Sequence, residues 1–120
     1  MNCIFCKIIN GDIPSYTVYE DEIVKVFLDI NPMSPGHMLI IPKKHFENLD
    51  DINIDVLTHI NEIAKKMHTL LKEKLHIDGM TVIQNNGEVQ EVKHYHMHLK
   101  PYYLENNGLT VEEIYKKLID

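Results

Sequence analysis

The chain has 120 residues, 44% of them hydrophobic, and a formal net charge of −6. That size suits one domain, residues 1–120, with a modest core. The acidic balance argues against a nucleic-acid backbone binder, and no apolar run nears the ~18 residues of a membrane span. All 12 basic residues are lysines, so a bidentate guanidinium clamp on phosphate is excluded. The start has no basic-then-apolar signal pattern, and a cytoplasmic protein with reduced thiols is expected.

In chain order, residues 3–10 read as one or two helical turns stopped by Gly11. Tyr16 to Tyr19 and Ile23 to Leu28 read as two short strands joined around Glu20-Asp21-Glu22. A turn-rich loop, Asn31-Pro32-Met33-Ser34-Pro35-Gly36, leads to the buried-strand run Met38 to Ile41, ended by Pro42. From about Asn53 to Leu75, apolar residues recur at three- and four-residue intervals (Val56, Ile60, Ile63, Met67, Leu70, Leu71), the stripe of an amphipathic helix that Gly79 breaks. Met80 to Gln84 is a fourth strand and Asn85-Asn86-Gly87 a turn. The stretch from His94 to Leu99 is a fifth strand, and Thr110-Val111-Glu112-Glu113 has the spacing of a capping box opening a last helix through Leu118. Strands with one long helix inserted predict an α+β fold: an antiparallel sheet of about five strands, that helix, and short helices at both ends. Such a sheet leaves an edge to cover, so a homodimer is expected.

The most informative stretch is His94-Tyr95-His96-Met97-His98-Leu99. On a strand, side chains alternate faces, so the three imidazoles share one side and Tyr95, Met97 and Leu99 the other. Two such histidines, roughly 6.6 Å apart, can reach one metal ion, whereas all three span roughly 13 Å. The competing chemistry is nucleophilic: His96 attacks phosphorus and a flanking ring handles protons, because an imidazole titrates near neutrality.

Several spaced motifs carry a resemblance. The triad stretch follows Gln84-Asn85-Asn86-Gly87, and upstream stand Cys3-Ile4-Phe5-Cys6, Phe27-Leu28-Asp29-Ile30-Asn31-Pro32, Pro35-Gly36-His37 and Ile41-Pro42-Lys43-Lys44-His45. Over residues 3 to about 101 the chain resembles the histidine triad (HIT) superfamily, in its Hint-like branch of small nucleotide-binding proteins. The resemblance implies a HIT-like fold. It also implies hydrolase or nucleotidyl transferase activity on purine nucleoside phosphoramidates or related nucleotide conjugates, through a nucleotidyl-histidine intermediate. In that picture His96 is the nucleophile, His98 serves phosphate oxygens or the leaving group, and His94 orients its neighbours. Asp29 accepts from the ribose hydroxyls, as an acceptor-only group can. Asn85 lies near phosphate and leaving group, Gln90 matches the glutamine before the triad, and Phe5, Ile8, Leu28 and Ile30 match the walls around the base, with ordinary core as the alternative for those four. Other readings are a diadenosine polyphosphate hydrolase and a nucleotide- or zinc-binding module without turnover.

The pair Cys3 and Cys6 has metal-ligand or redox spacing. The resemblance implies that it joins His45 and His94 around a structural zinc, with no cofactor needed for the chemistry. Three features depart from the family pattern: the loop before the triad is about two residues short, Glu91 stands where a serine is common, and Lys100 replaces an apolar residue. His37 is expected to be structural, and His59, His68 and His76 to sit on a solvated helix face.

Overall fold

The computed structural model describes residues 3–105 and 107–120. The elements run α1 (Ile4–Ile9), β1 (Thr17–Glu20), β2 (Val24–Leu28), β3 (Met38–Pro42), α2 (Ile54–Leu75), β4 (Gly79–Gln84), β5 (Met97–Tyr102) and α3 (Val111–Ile119), with a 3-10 turn at Gly87–Val89 between β4 and β5. The five strands form one sheet of order β1-β2-β3-β5-β4 in which every neighbouring pair is antiparallel. The expected α+β architecture is observed.

Each boundary has a local cause. The Cys3 sulfur accepts from the Cys6 N–H and caps α1, and Gly11, at φ +83°, takes the left-handed conformation just past its end. The β1–β2 turn is held by Asp21, whose carboxylate accepts the N–H groups of Ile23 and Val24. Asn53 caps α2 by accepting from Val56 N–H. The helix ends differently from the sequence expectation: His76 adopts the left-handed conformation at φ 53° and returns its N–H to Lys72 O, so Gly79 opens β4 and stops no helix. The capping box of α3 is complete, with Thr110 and Glu113 exchanging side-chain-to-backbone hydrogen bonds.

Period-two alternation gives the central strands two different faces. Val24, Val26, Leu28, Met38, Ile40, Met97 and Leu99 pack with Tyr95 against the apolar stripe of α2 and against Ile114 and Leu118 of α3. Phe27, Leu39 and Ile41 face the opposite way and pack with Cys3, Phe5 and Ile8 around α1. The loop into β3 passes tightly beneath the end of α2. A Cβ on Gly36, which sits at φ +89°, would come within 2.8 Å of a Leu75 methyl.

One histidine expected on the solvated face of α2 is instead engaged. His59 Nε2 donates to Asp21 Oδ2 at 2.7 Å and ties the helix to the β1–β2 turn. His76 is exposed, as expected, and His68 is half-buried.

Candidate active site

The histidine stretch is only partly strand. Pairing with β4 and β3 begins at Met97, opposite Gln84 and Ile40. The preceding residues are held otherwise: Tyr95 N–H donates to Phe46 O at 2.7 Å, and the His94 ring binds Pro42 O. The expected strand from His94 is therefore corrected to one from Met97, because the Tyr95 N–H is spent on Phe46 O beyond β3, the His94 ring on Pro42 O at its end, and the His96 ring on the His94 carbonyl. The alternation survives nonetheless. Tyr95, Met97 and Leu99 enter the α2-side core, and the three histidines lie together on the side of α1.

Backbone contacts fix the protons on these rings. His96 Nδ1 lies 2.7 Å from the His94 carbonyl, an acceptor, so Nδ1 carries the hydrogen and Nε2 keeps its lone pair. His37 Nδ1 accepts the Met33 N–H at 3.1 Å. The His37 hydrogen is thus on Nε2, 3.0 Å from His98 Nδ1, which accepts it. A neutral His98 then carries its own hydrogen on Nε2. Ring centroids of His96 and His98 are 5.0 Å apart, and the Phe5 ring stands edge-on to His96 at 5.1 Å. Burial pushes the pKa of His96 and His37 down, and that of His98 to about 4, with the charges of His96, His37 and Lys100 adding to the shift at His98. A neutral imidazole with a free Nε2 beside one presenting an N–H pairs a nucleophile with a hydrogen-bond donor.

These rings open on a cleft of about 510 Å³, whose walls include Asp29, Asn31, His37, Asn85, His96 and His98, together with the exposed Glu91 and the half-buried Lys100. Asp29 Oδ1 accepts the Asn31 N–H and so caps the turn after β2, while Oδ2 lies 3.8 Å from His37 Nε2. Gln90 is not in the cleft wall: it is buried, and its amide donates to Glu47 O at 2.5 Å. Of the four apolar residues expected around a base, Phe5 and Ile8 lie on the histidine side of the sheet. Leu28 belongs to the α2-side core, because β2 alternation turns it away, and Ile30 is 70% exposed. The residue that does face Phe5 is Phe27, at 5.7 Å between centroids, and counting faces along β2 identifies it. His37, expected to be structural, proves to be the partner of His98; nothing in its local sequence signals this, since their contact spans 61 residues.

Next to the triad lies a second cluster. Cys3, Cys6, His45 and His94 each offer a ligand atom, and these four atoms all fall within 4.8 Å of one another. Cys3 Sγ and Cys6 Sγ stand 3.3 and 3.6 Å from His94 Nδ1, and Cys6 Sγ stands 3.3 Å from His45 Nδ1. Bond lengths near 2.3 Å to sulfur and 2.0 Å to nitrogen would separate tetrahedral ligands by about 3.5 Å, so the donor set fits zinc. His94 Nε2 donates to Pro42 O at 2.8 Å, which leaves Nδ1 as the free ligand and holds the ring as outer-shell partners do. Burial, reinforced by Cys3, pushes the Cys6 thiol up to about 11, so ion binding at this site releases protons.

Residues 10–103 match the sequence model of the HIT domain. The chain belongs to the HIT family. Among HIT relatives, it is 51% identical over 112 residues to an uncharacterized HIT-like protein of Methanocaldococcus jannaschii, covering 92% of this chain and 85% of that one. It is 46% identical over 111 residues to an adenosine 5'-monophosphoramidase of Saccharomyces cerevisiae, covering 91% and 68%. A crystal structure of a zinc-bound histidine triad family protein from Mycobacterium smegmatis superposes with a TM-score of 0.85 at 31% identity, covering 98% of this chain and 94% of that one.

Proposed function

We propose that this HIT protein hydrolyses purine nucleoside phosphoramidates through a nucleotidyl-histidine intermediate on His96. The observation that carries this reading is the proton arrangement: His96 Nε2 is free while His98 holds a hydrogen on Nε2 beside it. Nε2 of His96 attacks the α-phosphorus and forms a P–N bond. The bond to the leaving amine breaks, and that nitrogen takes the bonding pair and a proton from the imidazolium form of His98, which is left neutral. Water then adds to phosphorus, returns a proton to His98 and releases His96 with a nucleoside monophosphate. His94 positions His96 through its carbonyl. Asp29 offers Oδ2 to a ribose diol, Asn85 faces the phosphate, and Phe5 and Ile8 with Phe27 supply apolar surface for the base. Its similarity to a yeast adenosine 5'-monophosphoramidase supports the substrate class.

A diadenosine polyphosphate suits this cleft less well. Apart from the histidines, its wall carries the carboxylates Asp29 and Glu91 against the single cation Lys100. Cys3, Cys6, His45 and His94 would hold a structural zinc, which supplies a cross-link between α1 and the triad segment and takes no part in the chemistry. The same reading has the protein in the cytoplasm, supported by the reduced cysteines a zinc site needs, and as a homodimer, supported by the exposed edge of β4. No helix among the described residues is long and apolar enough to cross a membrane.

The test is His96→Ala with an adenosine phosphoramidate. Turnover should fall roughly a thousandfold or more, and the phosphorus-bearing adduct seen by intact mass after rapid quench should vanish. Full turnover in the variant removes His96 as nucleophile. Tight nucleotide binding without any adduct in the unmutated protein favours a binding module.

A further inference from the structure

Glu91 is unusual among the groups of the cleft wall. It lies in the bend that leads into His94, exposed, with no hydrogen bond or ion pair among the described residues. The nearest cation in sequence does not neutralise it, because the Lys93 ammonium is turned to the Gly87 carbonyl. Glu91 lines the same cleft as His96 and Asp29. The cleft's one ammonium, Lys100, lies two residues beyond His98 on β5, and its charge acts on His98 and His37. The wall thus carries a carboxylate from the bend that leads into the histidines and an ammonium from β5 beyond them.

Asp29 is the carboxylate already committed, to the Asn31 N–H and, on the reading above, to the ribose. Glu91 is left over. A free carboxylate beside the attacked phosphorus repels a leaving group that carries phosphate, and attracts one that carries a cation. Because the side chain is exposed, the attraction is modest and weakens with salt.

We infer that Glu91 selects the leaving group: the preferred substrates are nucleoside 5'-phosphoramidates of an amine bearing a second, positively charged amino group. This rests on the phosphoramidase reading. The second amino group takes no part in bond making; it pairs with the Glu91 carboxylate while the first departs as described.

The experiment compares kcat/KM for the adenosine 5'-phosphoramidates of butylamine and of 1,4-diaminobutane, which differ by one terminal ammonium. At low salt the diamine conjugate should be favoured about two- to fivefold, and 0.5 M salt should reduce that ratio toward one. Glu91→Gln, which keeps the side chain's size, should bring the ratio near one at any salt, and Glu91→Lys should invert it. Turnover of both amides at a ratio that Glu91→Gln leaves unaltered overturns the inference while sparing the hydrolase. Absence of turnover of either amide, with no adduct on His96, ends both.

Discussion

Four hydrogen bonds converge on the Asp21 carboxylate, from Ile23 N–H and Val24 N–H on one oxygen and from Tyr19 Oη–H and His59 Nε2 on the other. Burial alone would raise its pKa, but these donors outweigh burial and hold it well below the ordinary 3.8. A depressed folded-state pKa stabilises the fold above the unfolded value and loses that contribution as pH falls from about 3.8 downward. Unfolding free energy from urea titrations should therefore drop between pH 5 and pH 3, and Asp21→Asn should flatten that drop and cost about 1–3 kcal/mol at pH 7. An unaltered slope in the variant would show that the carboxylate does not anchor α2 to the β1–β2 turn. His37 teaches the same lesson within the cleft. Its chemistry was open in the sequence as an imidazole, but its assignment as the donor that fixes His98 depends on a 3.0 Å contact that no periodicity encodes.

At the scale of elements, α1 has six residues, too few to persist in isolation. It is held by Phe5 and Ile8, buried against Phe27, Leu39 and Ile41, and by the cysteines at its start. A zinc ion there would join α1 to His45 after β3 and to His94 before β5. Protein purified without tag or chelator should contain about one zinc per chain by metal analysis. Chelation should lower the Tm by several degrees, and Cys3→Ala should lose both the zinc and the chelator response. Metal content near zero, or an identical Tm with and without chelator, would retire the site. The spacing of Cys3 and Cys6 made the pair conspicuous in the sequence, whereas the two histidines come from positions 39 and 91 residues away and are united only by the sheet.

At the scale of the molecule, β4 ends the sheet and leaves half of its backbone groups without a strand partner, with Val82 51% exposed. A second copy pairing along that edge satisfies those groups and covers the valine. Light scattering coupled to size exclusion should give a mass near twice 14.0 kDa, and Val82→Lys, placing like charges across the two-fold, should shift it toward one copy. A monomer at micromolar concentration refutes that arrangement.

The order of elements, the long amphipathic helix, the α3 capping box and the two faces of the triad segment were legible in the chain, because each rests on local periodicity or on a contact a few residues long. The site was legible in its residue types through motif order. Tertiary structure decided what no local rule contains: that pairing starts at Met97 and not at His94, that Leu28 enters the α2-side core while Phe27 packs against Phe5, that His59 is engaged, and that His37 commands the proton of His98. Those outcomes depend on which distant carbonyls and rings the sheet brings within hydrogen-bonding distance, and that distance is set by strand register.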